Sequence, residues 1–292
     1  MKFGVNALIW TVNFDSGCLP LLPVIKEKGF DGVEFPVFEP TGMPVSGIRK
    51  GLAENDLECT FCSVLSGDLS LISDDASIRE KARARIADFV RLAADVGARI
   101  VAGPLYSPVG LLVGRRPTPD EWARAVDAYR SLGPVLEQND VTLAIEPLNR
   151  FETYFLNTAA QAAKLCDEVA HPNVGILLDT FHANIEEKDL RAACLTAGTR
   201  LRHVHTSEND RGTPGNGHVD WPGLFSALRQ IDYNGWLTIE SFGFAIVGLS
   251  AAAAIWRDIE PTPESIAFDG VKFLKKAATD CTDAADPNPR NP

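Results

Sequence analysis

Four residues stand out for what their side chains could do together: Glu146 in LAIEPLNRFE, Asp179 in GILLDTFH, His205 in LRHVHTSEND and Glu240 in WLTIESF. They are spaced by 33, 26 and 35 residues, each interval close to one strand-plus-helix unit. Three carboxylates and an imidazole brought to one point would repel one another and lose hydration, so some would take up protons unless a cation sat among them. A divalent ion resolves that conflict. Oxygen donors with a single imidazole suit Mn²⁺, Mg²⁺ or Co²⁺ better than the sulfur-rich sites zinc favours, with zinc left open. The bland reading of each acid is a lone helix cap or a surface residue, and the matched spacing argues against it for the set as a whole.

For the four to meet, each must end a strand of one sheet. Strand-length apolar runs recur at 2–9, 32–37, 58–65, 99–103, 142–146, 174–179, 201–205 and 237–240, separated by segments of helical period such as 77–96 and 118–138. The second of these opens on a Thr-Pro-Asp start signal, and glycines at 29, 97 and 235 sit where a helix would end before the next strand. Parity along the strands gives a separate check. If the four polar residues point inward, the residues one and three positions earlier must face the helices. These are Ile145 and Leu143, Leu178 and Ile176, Val204 and Arg202, and Ile239 and Leu237, of which seven of eight are apolar.

Successive right-handed parallel units close most economically into a barrel, whose chemistry sits at the carboxyl-terminal strand ends. A doubly wound open sheet would advertise a Gly-rich nucleotide loop, and neither GxGxxG nor a P-loop occurs. The expected fold class is therefore α/β, a single-domain (β/α)8 TIM barrel over 1–279, with 280–292 (DCTDAADPNPRNP) as a flexible tail. The formal net charge of −11 argues against nucleic acid or an anionic membrane as partner. The start, MKFGVNALIW, has too short an apolar run for a signal peptide or a span, so a cytoplasmic location is expected. Cysteines 18, 59, 62, 166, 194 and 281 lack the paired spacing of a zinc cage and read as buried free thiols.

The stretches E-P-L-N-R-F-E at 146–152, L-D-T-F-H-A-N-I-E-E at 178–187, H-V-H-T-S-E-N-D-R at 203–211, G-N-G-H-V-D-W at 215–221, I-E-S-F at 239–242 and I-W-R-D at 255–258 resemble the ketose 3-epimerases of the D-tagatose 3-epimerase type. That group includes D-allulose (D-psicose) and L-ribulose 3-epimerases, within the xylose isomerase-like TIM barrels, and the resemblance spans 1–277. It implies that Glu146, Asp179, His205 and Glu240 are the ligands of one divalent metal, Mn²⁺ foremost with Co²⁺ or Mg²⁺ as alternatives. It implies that Glu146 and Glu240 are also the two acid/base groups, and that Glu152, His182, Arg211 and Trp10 bind a free ketose. A homodimer or homotetramer is the assembly it implies; the apolar stretch 242–256 reads equally as an interface for it or as a segment packed under the final helix.

The chemistry agrees with those roles. A hydrogen beside a ketone is a weak acid, so its removal calls for Lewis-acid stabilisation of the enediolate, and inversion at carbon 3 calls for a proton-transfer group on each face. Glu146 and Glu240 come from strands three apart in a ring of eight. His203 shares the parity of His205 one layer deeper and reads as a packed or supporting group; Glu34 is expected near the sugar; Glu186 and Glu187 read as solvated helix residues, and His171 as a surface turn. Departures at Asn6, Ala7 and Leu8 and in GPLYSPVGLLVG leave the preferred ketose open. Rival functions are a hydroxypyruvate-type isomerase or an inosose dehydratase on the same scaffold, an endonuclease for abasic DNA, disfavoured by a total of five histidines, and a non-catalytic sugar-binding barrel.

Overall fold

The computed structural model describes residues 1–242, 244 and 246–283. Eight parallel strands, β1 (Lys2–Asn6), β2 (Gly32–Pro36), β3 (Glu58–Cys62), β4 (Ile100–Gly103), β5 (Thr142–Ile145), β6 (Val174–Asp179), β7 (Leu201–His205) and β8 (Trp236–Ile239), pair in chain order, and β8 returns to β1 to close a barrel. Around them lie α1 (Leu21–Glu27), α2 (Val45–Glu54), α3 (Ala76–Val96), α4 (Pro119–Asn139), α5 (Ala159–Val169), α6 (Thr180–Glu186), α7 (Leu190–Ala197), α8 (Trp221–Gln230), α9 (Val247–Ala252) and α10 (Pro263–Asp283). This is the expected TIM barrel, every crossover passing through at least one helix.

Alternation along the strands sorts side chains into two layers. Leu143, Ile145, Ile176, Leu178, Val204, Leu237 and Ile239 all join the large apolar core between strands and helices, as the parity argument requires. Arg202, the polar exception, lies over Gly175, where a Cβ would meet its Cγ at 2.3 Å. Aromatic packing strengthens the outer layer: Phe35 meets Phe14 edge-on at 4.7 Å and Phe61 at 6.2 Å. Each such ring is fully buried and contributes roughly 2–3 kcal/mol by leaving water. Inside the barrel, by contrast, the apolar cluster consists of Ala102, Ala144 and Leu177. Asn6, Glu34, Thr60, His203, His205 and Thr238 are buried there as well, an unusually polar filling for a barrel interior.

Local chemistry ends the elements where they end. β1 stops at Asn6, short of the expected Ile9, because the Asn6 side chain accepts the Leu8 N–H and starts a 3-10 turn at Ala7–Ile9. Thr118 and Glu121 form a reciprocal capping box at the start of α4, and Thr158 and Gln161 do the same for α5. Gly103 closes β4 at φ +133°, where a Cβ would fall 2.0 Å from the Ser63 carbonyl oxygen. The last helix, α10, continues to Asp283, past the boundary expected at 279, and the rest of the expected tail, 284–292, lies outside the described residues. No helix among the described residues is long and apolar enough to cross a membrane.

Candidate active site

The carboxyl-terminal ends of the last four strands bring Glu146, Asp179, His205 and Glu240 together, each with a donor atom within 4.8 Å of the others, and all four are buried. Glu146 follows β5, Asp179 and His205 end β6 and β7, and Glu240 follows β8. Asp179 divides its oxygens between two tasks. Oδ1 accepts the Phe181 N–H at 2.6 Å and caps α6, while Oδ2 faces the cluster. His205 Nδ1 lies 3.3 Å from Glu240 Oε1 and 3.8 Å from Asp179 Oδ2, and it is buried without a hydrogen-bond partner.

Charge crowding is visible in the proton affinities. Burial, and then the neighbouring Glu240, push the Glu146 carboxyl well above its ordinary range. Burial would raise Glu240 too, but His205 and Arg211 outweigh it and hold that group low. Two carboxyls driven in opposite directions are a common arrangement where acid and base must coexist. A divalent ion fits these residues on two counts. The unpartnered Nδ1 supplies a nitrogen donor, and a cation would offset the burial and the Glu240 repulsion that raise the Glu146 carboxyl.

Arg211 is a cationic wall of the site. Its Nη1 donates to Asp179 Oδ2 at 2.7 Å, Glu240 Oε2 at 2.9 Å and Ser207 Oγ at 2.7 Å. The guanidinium lies 4.1 Å from the Phe181 ring centre and 5.0 Å from that of Phe242. The backbone at Arg211 has φ +65°, a left-handed conformation that costs on the order of 1–3 kcal/mol for a residue with a Cβ. Its surroundings hold it there. The Arg211 N–H donates to the Glu208 carbonyl at 3.0 Å, and the Arg211 carbonyl accepts from Ser241 Oγ. The buried Glu208 carboxylate then ties the loop by accepting from Trp221 Nε1, Val219 N and Gly215 N at 2.8–2.9 Å.

His182 stands beside Arg211 with Nε2 3.1 Å from Nη2 and 3.6 Å from Glu146 Oε1. Its Nδ1 accepts from the Asn149 backbone N–H at 3.1 Å, and Asn149 Nδ2 also reaches Glu152 Oε1 at 2.8 Å. Burial pushes the imidazole down to about 3, so it is neutral at physiological pH. Burial also raises the half-buried Glu152 carboxyl. Asn149, in the E-P-L-N-R-F-E stretch, thus clamps two expected sugar-binding residues, a role that its place in the sequence does not announce.

Above the cluster opens a cavity of about 220 Å³, below the ~300–1,000 Å³ of sites for drug-sized ligands. Its lining combines the polar Glu146, Glu152, His182, Arg211 and Glu240 with the apolar Leu8, Phe38, Val64, Val109 and Leu249. Trp10 is not among the lining residues: its indole packs 6.2 Å from the Phe268 ring, while Leu8, in the 3-10 turn after β1, lines the cavity. Cys62 lines the cavity, with Sγ 3.8 Å from Glu240 Oε1, and burial keeps its thiol protonated by raising it far above the usual range. Glu34 also departs from expectation. It is fully buried below the cavity, between His203 and His205. Glu186 and Glu187, expected in solvent, hold Arg150 and the Ala159 N–H at the start of α5. His171 accepts the Asn173 N–H in a turn.

The family model of the xylose isomerase-like TIM barrel matches residues 22–277. A probable ketose 3-epimerase of Synechocystis is 38% identical over 94% of this chain and 96% of its own length. The L-ribulose 3-epimerase of Mesorhizobium japonicum is 34% identical, covering 88% of each chain. The crystal structure of D-allulose 3-epimerase from Methylomonas in complex with D-allulose superposes with a TM-score of 0.89 at 29% identity, covering 95% of this chain and 97% of that one. The barrel and the extent of these matches make the chain a member of the xylose isomerase-like TIM barrel family and, within it, a carbohydrate-epimerising isomerase of the ketose 3-epimerase group.

Proposed function

We propose that this enzyme inverts carbon 3 of a free ketohexose or ketopentose of the D-tagatose, D-fructose/D-allulose and L-ribulose class. Glu146 and Glu240 exchange roles as base and acid, and Glu146, Asp179, His205 and Glu240 hold one divalent ion, Mn²⁺ foremost. The observation that carries this reading is the meeting of two buried glutamates, from strands three apart in the closed ring, at a cluster of four donors under the cavity. A divalent ion held by these four residues would supply Lewis-acid polarisation of the sugar's oxygens. One glutamate takes the carbon-3 proton from one face of the sugar, and the other returns a proton to the opposite face. Arg211, held against Asp179 and Glu240, and neutral His182 offer N–H groups to the oxygens on which negative charge develops. Glu152, tied to Asn149, orients a hydroxyl. The apolar part of the cavity lining, Leu8, Phe38, Val64, Val109 and Leu249, favours an unphosphorylated sugar.

Incubation of the Mn²⁺-loaded enzyme with D-tagatose, D-fructose, D-allulose and L-ribulose in D₂O tests this. The expected product is the carbon-3 epimer with deuterium at carbon 3. Deuterium at carbon 1 of recovered ketose and at carbon 2 of a newly formed aldose would identify an aldose–ketose isomerase, loss of water from an inositol ketone added to the panel a dehydratase, and an unreactive panel would reject the reading.

A further inference from the structure

Beneath the cluster lies a carboxylate that the proposed chemistry does not use. Glu34, the middle residue of β2, is completely buried inside the barrel. Its Oε1 accepts from Asn6 Nδ2 at 2.9 Å and sits 2.7 Å from His205 Nε2. Its Oε2 accepts from Thr60 Oγ1 at 2.9 Å and lies 2.8 Å from His203 Nε2. Residues of β1, β3 and β7 therefore converge on this one β2 side chain. Among the described residues its ionic partners are these two histidines, with neither lysine nor arginine in the set. An isolated buried carboxylate costs several kcal/mol, and branched apolar residues fill such positions when only packing is at stake. The fixed position of His205 is what this anion secures. With Nε2 engaged by Glu34, the ring can turn only Nδ1 toward Glu146, Asp179 and Glu240, and Nδ1 is the buried atom left without a hydrogen bond.

We propose that Glu34 is a positioning residue for the cation: it fixes the orientation of His205 through Nε2, strengthens Nδ1 as a donor, and thereby sets metal affinity without touching metal or sugar. The proposal rests on the reading that a divalent ion occupies the four-donor cluster. A competing arrangement puts a second cation among Glu34, Cys62 and His205, whose donor atoms also approach within 4.8 Å of one another. It requires His205 Nε2 to give up its 2.7 Å contact with Glu34.

Glu34→Gln isolates the charge. The amide oxygen still accepts from Asn6 and His205, the Thr60 hydroxyl can rotate to accept from the new amide, and neutral His203 can switch tautomer to do the same. Mn²⁺ titration of the metal-free protein, followed by electron paramagnetic resonance of free Mn²⁺, should give one site per chain in the wild type and a Kd weakened roughly 10–100-fold in Glu34→Gln. Thr60→Val removes one hydrogen bond to the same carboxylate and should weaken Kd severalfold; it carries the test if Glu34→Gln does not fold. The thermal midpoint of each metal-free protein is read alongside. A lowered midpoint with an unchanged Mn²⁺ Kd would leave Glu34 as mere support for the barrel interior and overturn the proposal, as would two Mn²⁺ per wild-type chain. A wild-type chain that binds no Mn²⁺ removes the metal reading itself, which keeps the two failures distinct.

Discussion

Replacing Glu146 or Glu240 by glutamine should separate removal of the carbon-3 proton from inversion. Each substitution keeps side-chain volume and one accepting oxygen but deletes a group that can carry a proton. Transfer by a positioned acid or base contributes roughly 10²–10⁴-fold. Epimerisation needs both groups, so either variant at saturating Mn²⁺ should fall about 10³-fold in kcat, about 4 kcal/mol of barrel-site stabilisation at ~1.36 kcal/mol per tenfold. The structure separates the two variants in their effect on binding. Glu240 accepts from Arg211 at 2.9 Å and lies 3.3 Å from His205 Nδ1, so its loss loosens Arg211 and should raise KM as well. Glu146 meets His182 at 3.6 Å and makes no such bond to Arg211, so its variant should stay closer to wild type in KM. In D₂O the remaining glutamate can still remove and return the proton on its own face. By nuclear magnetic resonance, Glu146→Gln should exchange carbon-3 hydrogen in one epimer and Glu240→Gln in the other, neither forming product at an appreciable rate. Exchange of the same epimer by both variants, or epimerisation within tenfold of wild type in either, would refute the two-face arrangement.

Arg211→Lys keeps the charge but loses the planar fork and the stacking between Phe181 and Phe242; kcat/KM should fall ~30–300-fold, about 2–3.4 kcal/mol, and a change below threefold in steady-state assays would count against Arg211 as a transition-state contact. Gly103→Ala forces a Cβ to 2.0 Å from the Ser63 carbonyl at φ +133°, so urea unfolding should show a loss of about 3 kcal/mol or more, or no folded protein. Glu121 accepts from Arg115, the Thr118 N–H and Tyr154 Oη, and chiefly the Arg115 bonds hold its carboxyl at about 2 against a usual 4.5. A folded-state value below the unfolded one means that the stabilisation is present above about 4.5 and fades as pH falls toward about 2. Because Arg115 is half exposed, the contribution is discounted to on the order of 1–2 kcal/mol. Glu121→Gln should therefore be less stable than wild type at neutral pH in urea titrations, with the difference shrinking as the solution is acidified through that window, and a gap that widened instead would contradict the pairing.

Strand parity carried most of what was legible in the sequence. Apolar residues one and three places before Glu146, Asp179, His205 and Glu240 do pack under the helices, and the four polar side chains do converge. What escaped was governed by single hydrogen bonds that no periodicity announces. The Asn6 side chain captures the Leu8 N–H and ends β1 early, and Trp10 just beyond it packs against Phe268. Glu34 has the inward parity the pattern requires, but parity says nothing of depth, and its partners Asn6, Thr60, His203 and His205 are scattered over three other strands. Asn149 was visible as a letter in a stretch of matching residues, yet its clamp on His182 and Glu152 needs the loop geometry.

These misses share a cause with the site's chemistry. The outer layer of the barrel is specified by the hydrophobic effect, which is non-directional and leaves a periodic trace in the chain. The inner layer is specified by directional bonds among buried polar groups, each of which costs stability unless its partner is in place. A barrel that needs only to fold would fill that space with branched apolar residues. Here Glu34, Thr60, His203 and His205 occupy it, and the left-handed backbone at Arg211 adds strain at its rim. The polar interior is therefore tied to the function of the four-donor cluster, and apolar substitutions there should cost metal binding before they cost the barrel, whereas truncations of Phe35, Phe61 or Leu143 should do the reverse.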